Sequence, residues 1–382
     1  MRLWWQRLRV MTVKELLQLS RDPVLLVILA WFFTADIYIA GSGISMDLRN
    51  ASMVVLDRDQ SEASRELIHR FQPPYFKLQG AISSGRQGIQ RMDQGKSMLV
   101  LEIPPHFERD LEAGRSTAVQ LQVDTTNTIL GTLATSYAAQ IVGRFGEDRA
   151  LDQLGITDLQ LAAMPRIEDR HRVWYNPNQI DPWFMSISEL MTVITMLSLM
   201  LPAAAAVREK ERGTIEQLAV SPLTPFQILF PKVIAMTLAI LAGTAVALFL
   251  ILFPLFHIPV KGSLLLFFSV TALYAVAVSG LGLFIASISR NLGQVSMLVI
   301  VILMPMLLLS GAWTPPEAMP TLLRHLMVIS PLYWFIELGY GILLKGAGLA
   351  VLWDSVLGLS VLGAAIFGFG IMRFRRQFGA GG

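Results

Sequence analysis

Six apolar runs divide this chain, and one long polar stretch separates the first of them from the rest. The first run begins at Pro23 and reaches Ala40, close to the roughly 20 residues that a helix needs to cross hydrocarbon. Five more follow at residues 183–207, 228–256, 263–288, 294–313 and 348–372. Their lengths predict transmembrane helices, six in all. Between residues 41 and 182 charge density rises, and no stretch could cross a bilayer. Met53-Val54-Val55-Leu56 and Met98-Leu99-Val100-Leu101 read there as short buried strands, and Val119 to Val123 alternates as a half-buried strand does. Residues 61–71 open on a Ser cap and carry Leu67, Ile68 and Phe71 at helical spacing, and residues 128–145 form a longer amphipathic pattern. The expected fold is a polytopic α-helical membrane protein with a mixed α/β domain, residues 41–182, inserted between spans 1 and 2.

Charge orients this scheme. Residues 1–22 interleave Arg2, Arg7, Arg9, Lys14 and Arg21 with Leu3, Trp4, Trp5, Leu8, Met11, Leu16 and Leu17, the pattern of an amphipathic helix at a membrane surface. A cleaved signal peptide is the competing reading, but the basic region is long and the apolar run of residues 23–40 exceeds a usual signal core. Arg208, Lys210, Arg212, Lys232, Arg290, Arg373, Arg375 and Arg376 flank the spans on the same side as that basic start, whereas the opposite short flanks carry Lys261, Arg324 and Lys345. By the positive-inside rule both termini, including the tail 373–382, are expected in the cytoplasm and the domain 41–182 outside it. In a Gram-negative cell that outer side is the periplasm.

Composition agrees, since 53% of the 382 residues are hydrophobic and 15% charged, with a mean hydropathy of +0.54. The net charge of +3 is small and spread out, with no basic helix interleaved with aromatics, so nucleic acid is not an expected partner. Cysteine is absent, which excludes disulfides, iron–sulfur clusters and thiolate metal sites. His69, His106, His171, His257 and His325 are scattered without zinc spacing, so no metal site is expected.

The charged island Arg208-Glu209-Lys210-Glu211-Arg212-Gly213-Thr214-Ile215-Glu216 interrupts the apolar half. Each Arg or Lys costs roughly 2.5 to 3.5 kcal/mol at a bilayer centre, so the island is expected as a loop in water. Its order, followed by Ser221-Pro222-Leu223, resembles the cytoplasmic coupling segment of type-two ABC transporter permeases, also grouped as type V exporters. Lys14-Glu15-Leu16 and Arg21-Asp22-Pro23 are similar to that family's opening. Ser279-Gly280-Leu281-Gly282 resembles its glycine-rich fourth span, in which Gly280 and Gly282 allow close helix approach. Pro305, Ser310-Gly311, Pro315-Pro316, Met319-Pro320 and Ser330-Pro331-Leu332 are similar to its last outer loop, here residues 313–347, where short helices dip back toward the membrane.

The resemblance implies an exporter permease for a hydrophobic or amphipathic solute, located in a bacterial inner membrane and driven by a soluble ABC ATPase. It implies a coupling segment, residues 208–232, in which Arg208, Glu209, Glu211, Arg212, Gly213, Thr214, Glu216 and Pro222 meet that ATPase, with a short helix over residues 214–218. Ser310, Gly311, Pro316, Pro320 and Pro331 are the corresponding outer-loop residues. A second permease chain, identical or related, and membrane lipid are the other expected partners, and a periplasmic adaptor is compatible with the scheme. No cofactor is expected in this chain, which lacks a P-loop: Gly95-Lys96-Ser97 ends like one, but Gln90 stands where the first glycine is needed. ATP and Mg belong to the partner, and the chain itself is not expected to be an enzyme.

Asp36 and Glu189 are the candidate functional carboxyls within the apolar runs. Intramembrane carboxyls face a bundle, a partner or water. Glu189, with Thr192 and Met196 beside it, marks a candidate substrate path, and an interfacial or ion-paired carboxylate is the alternative. Asp36 and Glu189 as proton or sodium sites would make the chain an ion-coupled carrier, and a receptor or scaffold acting through residues 41–182 is a third possibility. The lack of native cysteine makes the topology directly testable. Ser116→Cys should react with an impermeant maleimide in intact spheroplasts and Ser221→Cys only after permeabilisation; the reverse pattern would invert the orientation and sink the export reading.

Overall fold

The computed structural model describes residues 2–43, 48–155, 172, 174–213, 224–312, 314 and 316–379. The chain forms two compact units, one of Met1–Ile44 with Arg172–Gly382 and one of Ser45–His171. The first begins with helix α1 (Arg2–Ser20), which buries Leu8, Glu15 and Leu19 on one face and exposes Trp5, Val10, Val13 and Leu17 on another. Helix α2 (Pro23–Gly43) follows at once. Pro23 supplies a preset φ at its first position, and the Asp22 carboxylate accepts a hydrogen bond from the Leu25 N–H at 3.1 Å, capping the helix. One turn, Phe32–Asp36, is widened to π geometry.

The second unit alternates strands and helices: β1 (Ala51–Asp57), α3 (Glu62–Arg70), β2 (Phe76–Ala81), α4 (Gly85–Asp93), β3 (Leu99–Ile103), α5 (Phe107–Glu112), β4 (Gln120–Val123) and α6 (Thr128–Gln153). Its sheet has the order β2-β1-β3-β4, with β1 parallel to both neighbours and β4 antiparallel to β3. Central β1 is covered on both faces, which explains its unbroken apolar run. Met53 and Val55 pack with Leu67, Phe71, Leu101 and Phe145, while Val54 and Leu56 pack with Val100 and Ile82 beside α4. Ser61 caps α3 as its sequence suggests, accepting from Ser64 N–H at 3.1 Å. Helix α6 continues past the expected end at Phe145 to Gln153, and its last turns bond back to α3 through Arg149–Glu66 and Arg70–Asp148.

The first unit resumes with α7 (Asp181–Glu211), α8 (Pro225–Val246, prolonged by a π turn over Ala247–Leu252), α9 (Leu264–Ile288), α10 (Leu292–Leu308), α11 (Thr321–Leu326), α12 (Pro331–Leu343) and α13 (Leu349–Gly379). Among the described residues five helices, α2, α7, α8, α9 and α13, are long and apolar enough to cross a membrane. Helix α10, where a sixth span was expected to reach Trp313, stops at Leu308: Pro305 removes an amide donor, and Gly311 turns the chain at φ +83°. A sixth candidate span arises only if the segment Thr321–Ile329 and α12, bent by 86°, count as one, and it falls in the expected outer loop rather than at residues 294–313. Helix α7 is central, packing on α2, α8, α9, α10 and α12. Across α9, Gly280 and Gly282 meet backbone on two sides, as the sequence suggests. A Cβ at Gly280 would lie 2.5 Å from Phe367 Cα in α13, and one at Gly282 2.5 Å from the Leu199 carbonyl oxygen in α7.

The charged island departs from the expected loop. Helix α7 runs without a break through Arg208, Glu209, Lys210 and Glu211, and ends only where Gly213 takes φ +67°. Its 31 residues span about 46 Å, against a hydrocarbon core of about 30 Å, so the charged turns have room beyond the apolar layer without leaving the helix.

In the second unit, the turns after β1 and β3 cap each other's helices. Asp59 accepts from the Glu108 N–H at 2.9 Å at the start of α5, and Glu108 returns a carboxylate to the Ala63 N–H at 3.0 Å at the start of α3. Burial pushes the Asp59 carboxyl up, but hydrogen bonds from the Ser61 hydroxyl and from backbone at Glu108, His106 and Phe107 outweigh it and hold the pKa below the ordinary 3.8. A carboxyl depressed in the folded state stabilises fully above its unfolded pKa, and that contribution is lost as pH falls through the folded value. Asp59→Asn should therefore cost about 1 kcal/mol at neutral pH, the scale of a helix N-terminal carboxylate contact. Urea unfolding of a fragment spanning residues 45–171 should show the gap to wild type closing below about pH 4; a gap independent of pH would refute the ionic cap.

Candidate functional site

Four charges of the island, Arg208 to Glu211, are engaged within the chain. Consecutive helix residues point about 100° apart. Four in a row at the end of α7 therefore reach four different neighbours. Arg208 forms an ion pair with Asp22, the cap of α2. Glu209 accepts from Lys232 Nζ of α8 at 2.6 Å and from Lys14 Nζ of α1 at 3.0 Å. Lys210 Nζ donates to the Ala286 carbonyl at 2.5 Å, in the last turn of α9, and lies 5.4 Å from the Phe374 ring centre of α13. Glu211 accepts from the Leu292 N–H at 3.0 Å, at the start of α10. Helix polarity suits these last two contacts, a cation at carbonyl ends and a carboxylate at amide ends.

The deepest part is a quartet of Lys14, Glu15, Glu209 and Lys232. Lys232 Nζ lies 2.7 Å from Glu15 and 2.6 Å from Glu209, and its side chain is 1% exposed against 2% and 8% for the two carboxylates. Lys14, nearer the surface, bridges the same carboxylates at 3.1 and 3.0 Å. Two cations and two anions make the group neutral, which is what allows it to be buried at all. Burial lowers the Lys14 pKa, but Glu15 and Glu209 more than compensate and hold it above the usual lysine range. Asp22 is held below the carboxylate range, first by the Leu25 amide and then by Arg208.

Glu209 was expected to present its charge to an ATPase; it is buried and paired inside the chain instead. Arg208, also expected there, is half-buried against Asp22, while Glu211 and Arg212 are exposed. Gly213 ends the helix, and Thr214, Glu216 and Pro222 lie outside the described residues, as does the expected helix over 214–218. Sequence reasoning did not find Glu15 or Lys232 as partners of the island. One signal was present: Glu15 falls on the same helical stripe as Leu8 and Leu19, where a carboxylate needs a buried cation.

A second cluster lies farther along α7. Helix α7 is buried almost throughout, but Met185, Glu189, Thr192, Met196 and Met200 are half-exposed and share one face at helical spacing. The three residues of the candidate path therefore do fall together. The Glu189 carboxyl neighbours that of Asp36, which sits on the π turn of α2. Ser310, Gly311 and Pro316 gather beyond the end of α10, about 25 Å along that helix from Leu292. Ser310 is buried, donating to the Leu307 carbonyl at 2.6 Å and accepting from the Ala312 N–H. Pro320 precedes α11 and Pro331 opens α12.

Comparison with known proteins fits this arrangement. The family model described as ABC-2 family transporter protein matches residues 22–372. The chain belongs to the ABC-2 transporter family. This ABC-2 chain is 32% identical over 367 residues to the Escherichia coli K12 protein named inner membrane transport permease YhhJ, covering 96% of each. It is 30% identical to the probable multidrug ABC transporter permease YbhR of the same organism, covering 98% of this chain and 99% of that one. The probable multidrug ABC transporter permease YbhS of that organism is 27% identical over 381 residues. At this level the ABC-2 chain is an ABC transporter permease, a transport subunit rather than an enzyme.

The quartet makes a specific stability prediction for the ABC-2 bundle. Lys232→Met leaves two buried carboxylates facing only Lys14 and should cost about 3 to 5 kcal/mol. Adding Glu15→Leu and Glu209→Leu removes the orphaned charges and should restore most of that loss. Thermal aggregation of the detergent-solubilised protein, followed by size exclusion, checks both; a triple variant no better than Lys232→Met would show that the charges are not the source of the loss.

Proposed function

We propose that this permease is the membrane subunit of an ATP-driven exporter, moving a hydrophobic or amphipathic solute outward and powered by a separate ABC ATPase that holds ATP and Mg. The observation that carries the reading is the end of α7, where four consecutive charged residues tie that helix to α2, α8, α9 and α10. A push delivered to the segment that follows Gly213 would reach all of them through one rigid helix. Arg212, Gly213, Thr214, Glu216 and Pro222 are the residues proposed to meet the ATPase, with Arg208 and Glu209 acting behind them as internal anchors.

The half-exposed stripe Glu189, Thr192 and Met196 is proposed to line the solute path in a dimer of permease chains. Methionine gives such a surface adaptable apolar contact, and the carboxyl pair would attract a cationic group. The relatives named multidrug permeases support a solute of this kind. With both termini cytoplasmic, Ser45–His171 would lie outside, where it could receive the solute or dock a periplasmic adaptor. The Asp36–Glu189 contact also favours a second reading, an ion-coupled carrier in which that pair binds a proton or sodium.

Charge reversal separates the two readings. Glu216→Lys should leave insertion and dimerisation normal, weaken ATPase copurification at least tenfold and abolish transport, since a desolvated interfacial charge partner is worth about 2 to 5 kcal/mol. Full transport by Glu216→Lys, with no ATPase recovered alongside either protein, would return the ion-coupled carrier to first place.

A further inference from the structure

Beside the quartet, α1, the start of α2 and the end of α7 line a recess of about 620 Å³ that the coupling reading leaves without an occupant, although it uses Arg208 and Arg212 at its edge. Lys14, Leu17, Arg21, Asp22, Arg208 and Arg212 line it. Its charges are not all neutralised. Lys14 belongs to the neutral quartet and Arg208 is matched by Asp22, which leaves Arg21 and Arg212, both exposed and, among the described residues, without a carboxylate partner. Two guanidinium groups at the mouth of one recess present planar donor forks suited to a phosphodiester.

Apolar surface leads away from the same place. Along α1, Val10, Val13 and Leu17 are exposed at helical spacing and end in the recess. Along α2, Val24, Val27 and Trp31 are exposed on one face that starts beside Pro23, another lining residue. Trp4 and Trp5 are exposed near the other end of α1, the residue type found at membrane interfaces. An anion held here would have hydrocarbon-compatible surface on two sides. A free phosphate or nucleotide would have no use for it.

We infer that this recess is a binding site for an anionic phospholipid, its phosphodiester held by Arg21 and Arg212 and its acyl chains laid along the exposed faces of α1 and α2. The lipid would then sit against Arg208 and the quartet, at the root of the island. The inference needs the chain to be a membrane protein of this family but not that it couples to an ATPase.

The test uses the full-length permease purified without any ATPase and analysed by native mass spectrometry in a mixture of phosphatidylglycerol and phosphatidylethanolamine. Wild type should retain phosphatidylglycerol at least fivefold over phosphatidylethanolamine. Arg21→Gln with Arg212→Gln should reduce that preference to near unity with an unchanged size-exclusion profile, while Arg21→Lys with Arg212→Lys keeps part of it and Lys345→Gln keeps all of it. Equal phosphatidylglycerol retention by the Gln double variant would overturn the site. Displacement of the lipid by millimolar inorganic phosphate would show a simple anion site and overturn the lipid assignment. A Gln double variant that keeps phosphatidylglycerol but loses ATPase on copurification would assign the recess to the ATPase instead.

Discussion

The membrane unit depends on the buried contact of Lys232 with Glu15 and Glu209. An ammonium with 1% exposure is tolerable only where opposite charge lies within hydrogen-bond distance on more than one side, because desolvation would otherwise exceed what apolar packing returns. That requirement fixes three helices at once. Helix α1 must present Glu15 inward, α7 must extend past its apolar length to deliver Glu209, and α8 must begin close enough to bring Lys232 between them. A hydrophobic contact at the same place would tolerate sliding by a fraction of a turn. An ion cluster with bonds of 2.6 to 3.1 Å does not.

The same constraint explains why α7 is a single helix of 31 residues and not a span followed by a loop. Three cations within nine residues signal that the chain leaves the hydrocarbon, but they do not signal that it leaves the helix. Charge decides the medium; it does not decide the backbone. Glu, Lys and Arg are good helix formers, and the first residue in the island that ends a helix is Gly213.

The legible parts of this fold were those in which one segment's own residues settle the outcome. Apolar runs became helices because hydrocarbon admits little else, and Met53 to Leu56 became a central strand because both its faces are covered. Gly280 and Gly282 announced the close approach of α9 to α13 and α7, since a side chain there would collide with backbone. Strand β2 left no such trace: it is an edge strand, exposed at Lys77, Leu78 and Gln79, and shows no run of buried residues. The quartet was hidden for a different reason. Glu15, Glu209 and Lys232 are far apart in sequence, each looks like an ordinary flanking charge, and only the fold makes them a group.

The two polar clusters of the membrane unit differ in a way that bears on what each can do. Beside the end of α7 the charges of Lys14, Glu15, Glu209 and Lys232 cancel and satisfy one another, and Arg208 pairs with Asp22, so any motion there must carry α1, α2 and α8 with it as a body. Along the middle of α7 the polar groups are half-exposed on a methionine-bearing stripe, and the Asp36 carboxyl that meets Glu189 sits on a π turn, a local departure from regular helix geometry. Tight packing transmits displacement because it cannot absorb it. An open face with adaptable side chains can instead change what it touches. On the proposed function, a permease driven from one end would need the first property where force enters and the second where solute passes, and α7 offers both on one continuous helix.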